Sequence, residues 1–360
     1  MHLCVIPGDG IGREVVPAAL DVLRATGLPL EITEAEAGWE CFQRTGTALP
    51  DTTLAAARAA DAVLFGAVGS PSFPVPGYRS PIVALRKALD LYANIRPVRD
   101  HQPPLADHKR TSSSAIDGRS SGVDLVVVRE NTEGMYASRE RLEDGGDTAI
   151  AERVITRRAS ARIVRAAFEL ARTRSQAKSH QPKVTIVHKA NVLRETCGLF
   201  RSTALQVASE YPDIAHEEML VDNCALQLVQ RPAHFDVIVT TNMFGDILSD
   251  VASYWGGGLG LAVSANLGEA RALFEPVHGS APDIAGRGIA NPFAAIGCVA
   301  LLLEWLAARP DASKPATLST AASRIRAATA QIQASGPHTP DMGGTAHTTD
   351  ITQAVIAALA

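Results

Sequence analysis

Leu3 to Ile6 is a short apolar run that ends in Pro7-Gly8-Asp9-Gly10-Ile11-Gly12. Glu14 to Arg24 follows with apolar residues at helical spacing, interrupted early by Pro17. The pattern predicts strand, glycine turn, helix. Ala62 to Val68 reads as a second buried strand and Pro81 to Leu91 as an amphipathic helix. Asp124 to Val128 is a third strand and Ser160 to Thr173 a helix. Val184 to Val187 and Phe235 to Val239 are further apolar runs of strand length, with a mainly helical Val192 to Ala208 between them. Strands alternating with helices predict an α/β fold containing parallel strands. Polar stretches over 100–122 and Ser175 to Pro182 read as connecting loops.

Composition narrows the function classes. The 360 residues suffice for two domains or one large α/β unit. With a net charge of −4 and 5% aromatic residues, neither nucleic acid nor an anionic membrane is expected as a partner. Five widely spaced cysteines without a C-x-x-C argue against a disulfide scaffold or structural zinc and fit a reducing compartment. Met1 to Pro7 enters a strand without a charged leader, so no signal peptide is expected, and the cytoplasm is the expected location. The apolar run Val299 to Leu303 is followed by Glu304 and is too short to span a bilayer.

The glycine turn is G-x-G-x-G rather than the G-x-G-x-x-G dinucleotide fingerprint, and no acidic residue ends a second strand about 20 residues on. A tight strand-to-helix turn is the better reading of these glycines than direct pyrophosphate binding.

The most telling chemistry follows Phe235 to Val239. Asp246 and Asp250 stand four residues apart, so both carboxylates share one face if Asp246 opens a helix. Two like charges on one face suit a hard divalent ion, Mg²⁺ or Mn²⁺, although helix capping is the blander alternative for such a pair taken alone. Arg86, Arg96 and Arg129 are candidate bidentate clamps for carboxylates. Arg129 is the best placed of them, at the end of a strand where α/β sheets bind ligands. Lys189 follows another strand and is a candidate base if a nearby cation lowers its pKa. Tyr136 is a matching candidate acid, and Asp222 a candidate to join the metal or orient Lys189. The turn-rich segment Glu275 to Asn291 suits a phosphate-bearing ligand. Within it, Asp283 can accept from a ribose diol and would repel a 2′-phosphate, which predicts NAD over NADP.

Taken together, IPGDGIG, LRKALDLYANIRPVR, VRENTEGMY, HKANVL, VDNCALQLV, TTNMFGDILSD and EPVHGSAPDIAGRGIANP occur in that order over nearly the whole chain. The set resembles the metal-dependent β-decarboxylating dehydrogenases that act on isocitrate, isopropylmalate and homoisocitrate. The resemblance implies a two-domain α/β fold that is not a Rossmann fold, with the active site in the interdomain cleft of a homodimer or a dimer of dimers. It implies a cofactor-binding domain over 1–100 plus 257–360 and a dimerisation and metal domain over 101–256. Arg86, Arg96 and Arg129 then resemble the clamp on the malate part of the substrate, with Ser80 and Asn191 as further substrate contacts. Tyr136 and Lys189 resemble the acid–base pair, and Asp222, Asp246 and Asp250 the metal set, with Lys189 and Asp222 supplied by the other subunit. His278, Gly279, Ser280, Ala281, Asp283, Ile284 and Asn291 resemble the adenosine-binding loop of NAD-type members.

The Tyr78 to Arg86 segment resembles homoisocitrate dehydrogenases most closely. Glu130-Asn131-Thr132-Glu133-Gly134 resembles the isocitrate and homoisocitrate branch, where isopropylmalate enzymes carry E-L-T-G-G. Isocitrate enzymes commonly have Asn where Ile82 stands, and Arg79 can reach a longer side chain. The expected reaction is oxidation of homoisocitrate to 2-oxoadipate, with isocitrate next and isopropylmalate third. A non-catalytic regulatory subunit is a poorer reading, since the acid–base and metal residues are all present. Val263, in place of a usual proline, and the serine-rich 110–122 segment depart from the family pattern.

Overall fold

The computed structural model describes residues 1–73, 75–100, 122–178 and 181–359. The expected loop over 100–122, including its serine-rich part, falls almost wholly outside them. The chain divides into two compact units, residues 1–89 with 257–359 and residues 90–100 with 122–256.

In the first unit, β1 (His2–Gly8) lies between β2 (Glu31–Glu34) and β3 (Ala62–Ala67), and both neighbours run parallel to it. Next to β3 comes β12 (Ala272–Pro276), which forms an antiparallel hairpin with β11 (Val263–Leu267). Every residue of β3 is buried, as its unbroken apolar run predicts. By contrast, β2 has the sequence EITE and exposes both glutamates, so it lacked the apolar signal of a strand. Pairing with β1 alone makes it an edge, where charged residues are at home.

Helix α1 (Gly12–Ala25) continues through Pro17, whose ring faces solvent, and buries Val15, Val16, Leu20 and Leu23. It packs on α9 (Phe293–Ala308) and α11 (Thr348–Ala358). The run Val299 to Leu303 lies inside α9, which is buried around most of its circumference by α1, α10 (Pro315–Ser335) and the sheet. Among the described residues no helix is long and apolar enough to cross a membrane. Two short helices, α2 (Trp39–Thr45) and α3 (Asp51–Ala59), and α4 (Pro81–Ala88) complete the unit.

The glycine turn is built by close backbone approach. A Cβ on Gly10, which has φ +53°, would stand 2.1 Å from the Ser280 carbonyl. The Ile11 N–H donates to that same carbonyl at 2.9 Å. Buried Asp9 accepts the backbone N–H groups of Trp39, Glu40 and Gly69. The turn therefore anchors the 280 loop and the start of α2, in keeping with a structural role.

The second unit has the strand order β4 (Ala93–Arg99), β5 (Asp124–Glu130), β10 (Val237–Thr240), β8 (Lys183–His188), β9 (Ala215–Leu220). β4 is antiparallel to β5 and the remaining pairs are parallel. Seven paired residues join β4 to β5, so Asp90–Asp100 groups with this unit rather than with residues 1–89. α5 (Arg157–Lys178) packs on β5, β8 and β10, and α6 (Thr196–Ala208) packs on α5. α7 (Val221–Gln230) and α8 (Asn242–Ser253) pack on each other; α8 also meets β4 and β5, and α7 meets β8 and β9. An exposed antiparallel hairpin is formed by β6 (Glu140–Glu143) and β7 (Thr148–Ala151).

Three local expectations are corrected. α8 begins at Asn242, so Asp246 lies inside the helix instead of opening it. α5 runs through Lys178 across the expected Ser175 loop, whose Ser179 and His180 lie outside the described residues. Finally, α6 starts only at Thr196, because the Lys189 carbonyl accepts the N–H groups of Val192 and Leu193 in a turn.

Beneath this sheet, Arg174 of α5 donates to Asp236 Oδ1 at 2.8 Å and to the Asp124 carbonyl at 2.7 Å. Arg174 and Asp236 are both buried, and Arg174 also reaches Asp124 Oδ1 at 3.1 Å, so losing the arginine takes the guanidinium from two carboxylates. Arg174→Met is expected to lower the unfolding free energy by about 3–5 kcal/mol. Adding Asp236→Leu is expected to restore part of that loss; urea denaturation of the two variants checks both.

Candidate active site

The C-terminal end of β5, the facing part of β4 and the helix α8 bring four of the expected residues together, and the turn after β5 adds a fifth. On β5, alternation points Val128 and Glu130 one way and Arg129 the other. Arg129 is 1% exposed, although it carries a full charge. Its Nε and Nη2 donate to Asn242 Oδ1 at 2.9 and 2.7 Å, and its Nη1 donates to Asp246 Oδ1. Arg96 of β4 is buried as well. It donates to Asn94 Oδ1 at 2.9 Å, Ser249 Oγ at 2.7 Å, Asp250 Oδ1 at 3.2 Å and Asp246 Oδ1 at 3.1 Å.

α8 lies this close to β5 because position 245 is glycine. A Cβ there would stand 2.6 Å from Arg129 Cβ. Asn242, Asp246 and Ser249, at helical spacing, then face the arginines.

Tyr136 reaches the same carboxylate from the turn after β5. Its hydroxyl donates to Asp246 Oδ2 at 2.6 Å, and the Arg129 guanidinium lies 5.2 Å from its ring centroid. Burial and the hydrogen bond to Asp246 raise the Tyr136 pKa, against the pull of Arg129. The phenol therefore stays protonated above its ordinary range. The turn is shaped by Glu130, whose carboxylate accepts the Thr132 and Glu133 N–H groups, and by Gly134 at φ +79°. In the E-N-T-E-G run, Glu130 is thus a turn organiser.

Asp246 and Asp250 form a carboxylate pair, both reached by Arg96, and Asp250 is the more exposed of the two. Burial raises the Asp250 pKa, Arg96 lowers it, and the charge of Asp246 raises it again. A hard divalent cation would relieve that residual repulsion, and the donor set is the oxygen chemistry it prefers. Asp222 does not join the pair within one chain. Among the described residues, no three His, Cys, Asp or Glu side chains form a metal-ligating group. Asp222, on α7, instead accepts a hydrogen bond from Lys189 Nζ, which holds its carboxyl below the usual range. The charged partner of Lys189 is therefore a carboxylate and not the cation considered from the sequence. Asn191, in the turn after Lys189, is exposed.

The other expected residues lie in the first unit. Arg86 of α4 is buried and donates to Glu275 Oε1 at 2.7 Å, while its Nε has no partner among the described residues. Ser80 stands at the start of α4 without its side chain capping it. His278 Nδ1 lies 3.0 Å from the Gly279 carbonyl, and its Nε2 is buried without a partner among the described residues. Burial lowers the His278 pKa, so the ring is neutral at pH 7. Ser280 and Ala281 follow, Ala281 with φ +39°, and Asp283 is exposed while Ile284 is half-buried. Asn291 is fully engaged, donating to Asp341 Oδ2 at 3.0 Å and accepting the Phe293 N–H that starts α9. A ring nitrogen buried without a partner among the described residues, in a turn segment that also exposes Asp283, fits a nucleotide-type ligand at this loop.

Sequence reasoning missed Asn94, Asn242, Gly245 and Ser249. Spacing held the signal for three: Asn94 is two residues before Arg96 on one strand face, and Asn242 and Ser249 flank Asp246 by one helical turn. Gly245 carried no signal beyond being glycine.

Comparison with known proteins adds to this geometry. The profile of the isocitrate/isopropylmalate dehydrogenase family matches residues 2–355. The isocitrate/homoisocitrate dehydrogenase of Thermus thermophilus is 50% identical over 99% of this chain and 98% of its own length. The 3-isopropylmalate/3-methylmalate dehydrogenase of Methanocaldococcus jannaschii is 48% identical over 99% of this chain and 98% of its own. A crystal structure of isocitrate dehydrogenase from Methylococcus capsulatus superposes with a TM-score of 0.88 at 41% identity, covering 99% of each chain. The chain belongs to the isocitrate/isopropylmalate dehydrogenase family, whose members are decarboxylating dehydrogenases of hydroxy acids.

Proposed function

We propose that this enzyme oxidises and decarboxylates a 2-hydroxy-3-carboxy acid with NAD and Mg²⁺ or Mn²⁺, and that its substrate is homoisocitrate, giving 2-oxoadipate. The observation that carries the reaction class is Asp246, which accepts from Arg96, Arg129 and Tyr136 with Asp250 beside it. The substrate assignment rests on the Ser80 to Arg86 segment, and the name of the Thermus relative supports it. Isocitrate is the second reading, since that relative's name pairs it with homoisocitrate.

Asp246 and Asp250 would hold the divalent ion, which when bound acidifies the 2-hydroxyl and draws charge from the neighbouring carbonyl. His278 to Asn291 would hold NAD, the hydride acceptor, with Asp283 on a ribose diol. With a divalent ion held on the two aspartates, the N–H groups with which Arg96 and Arg129 now donate to them would be available to substrate carboxylates. Arg86 supplies a further clamp, with Ser80 and Asn191 as further substrate contacts. Lys189 takes the hydroxyl proton during oxidation. After CO₂ departs, the Tyr136 O–H protonates the carbon that carried it.

The proposed assembly is a homodimer that places Lys189 and Asp222 of one subunit beside Asp246 and Asp250 of the other. Leu226 and Val229 on α7, Met243 and Ile247 on α8 and Tyr254 just after it are exposed, an apolar face of the kind that pairs with a second copy. All five cysteines are free and buried, in keeping with the cytoplasm.

Initial rates of NAD reduction with Mg²⁺ should give the highest kcat/KM for homoisocitrate, then isocitrate, then 3-isopropylmalate. EDTA should abolish the rate and Mn²⁺ or Mg²⁺ restore it; a rate unaffected by EDTA refutes the metal assignment. Lys189→Ala and Tyr136→Phe are each expected to lower kcat by about 10²-fold or more.

A further inference from the structure

Arg153 lies just after β7, outside every motif that the reaction uses. Its Nη2 donates to Thr241 Oγ1 at 2.7 Å, and its Nη1 reaches Thr196 Oγ1 at 3.2 Å and Cys197 Sγ at 3.0 Å. Its guanidinium carbon stands 4.8 Å from the Phe244 ring centroid. Among the described residues no carboxylate pairs with it, so this half-buried cation is held by hydroxyls, a sulfur and an aromatic face.

These partners belong to two segments, the start of α6 and the start of α8. Thr241 and Phe244 form the start of α8, the helix that carries Asp246 and Asp250. Thr241 does not use its side chain to cap that helix. Cys197 begins α6, and its Sγ also accepts the backbone N–H of Lys189 at 3.3 Å. The next residue, Val154, forms a two-way backbone bridge with Gly134, with N–H to carbonyl distances of 2.8 and 3.3 Å. Gly134 immediately precedes the short helical turn Met135–Ala137 that presents Tyr136. A side chain and the adjoining peptide thus touch the start of the carboxylate helix and the residue before the acid-bearing turn, and reach the base-bearing turn through Cys197.

We propose that Arg153 is a positioning residue that fixes these three segments relative to one another, and so, in the reaction and homodimer assigned above, ties the base lent to the partner's site to the acid and carboxylates of its own. Arginine suits it because its planar fork presents five fixed N–H donors, enough to hold acceptors on separate segments at once. Lysine offers a point charge on a flexible stem and cannot reproduce that geometry. Catalytic rates fall steeply when reacting groups shift by about 1 Å.

The test compares wild type with Arg153→Gln, Arg153→Lys and Thr241→Val by kinetics, thermal melting and amide hydrogen exchange. Thr241→Val removes only the acceptor on α8, so it keeps the question open should an Arg153 variant fold poorly. Expected is a fall in kcat of about 30- to 100-fold in both Arg153 variants with KM changed less than about threefold. Arg153→Lys should not rescue. Exchange should rise at residues 189–197 and 241–246 together in the Arg153 variants, and Thr241→Val should raise exchange at 189–197, which it does not touch. Unchanged exchange at 189–197 in every variant, rescue by lysine, or a loss of kcat that simply follows a lowered Tm would overturn the proposal. Wild-type turnover of the three acids judges the reaction separately. If wild type turns over none of them, that assignment fails, while the exchange pattern still decides whether Arg153 ties the segments.

Discussion

The second unit is organised around a carboxylate that receives more donors than one charge can balance. Asp246 accepts from Arg129 and Arg96 and from the Tyr136 hydroxyl. Arg129 is enclosed almost completely, and a charge so placed persists only where hydrogen bonds and counter-charge replace its water. Asn242 supplies two of those bonds and Asp246 the counter-charge. Strand β5, strand β4 and helix α8 are consequently held in one arrangement by polar contacts where α/β packing is usually apolar. An apolar layer made of Val98, Leu125, Val127, Leu248 and Ala252 supports the same elements from within.

The first unit repeats the principle at smaller scale. Arg86 on α4 and Glu275 on β12 are buried together, and Asn266 on β11 donates to the same Glu275 oxygen at 2.8 Å. The hairpin between β11 and β12 thereby orients an arginine whose Nε has no partner among the described residues. In both units, acceptors on sheet and helix fix the orientation of buried arginines.

Much of this was legible in the sequence because it obeys short-range rules. The apolar runs of β1, β3, β5, β8 and β10 marked their strands, and the four-residue spacing of Asp246 and Asp250 placed them on one face. Edge strand β2 was not legible, since EITE carries no apolar pattern. Nor was the start of α6, where a turn held by the Lys189 carbonyl overrides helical spacing. The partner of Lys189 was half-legible: Asp222 was named, but whether it met a metal or the lysine depended on how α7 follows β9. Arg153 was invisible because its partners come from separate segments and are neutral, so neither charge pairing nor periodicity marks it.

Gly245 gives the site a clearance set by a missing methyl group. The helix carrying Asp246 and Asp250 rests against the stem of Arg129 at a separation that no larger residue permits. Among homologous or redesigned sequences, this position should therefore tolerate little variation. A backbone-level limit of this kind also means that the carboxylates cannot be moved to another turn of the helix without moving the glycine with them.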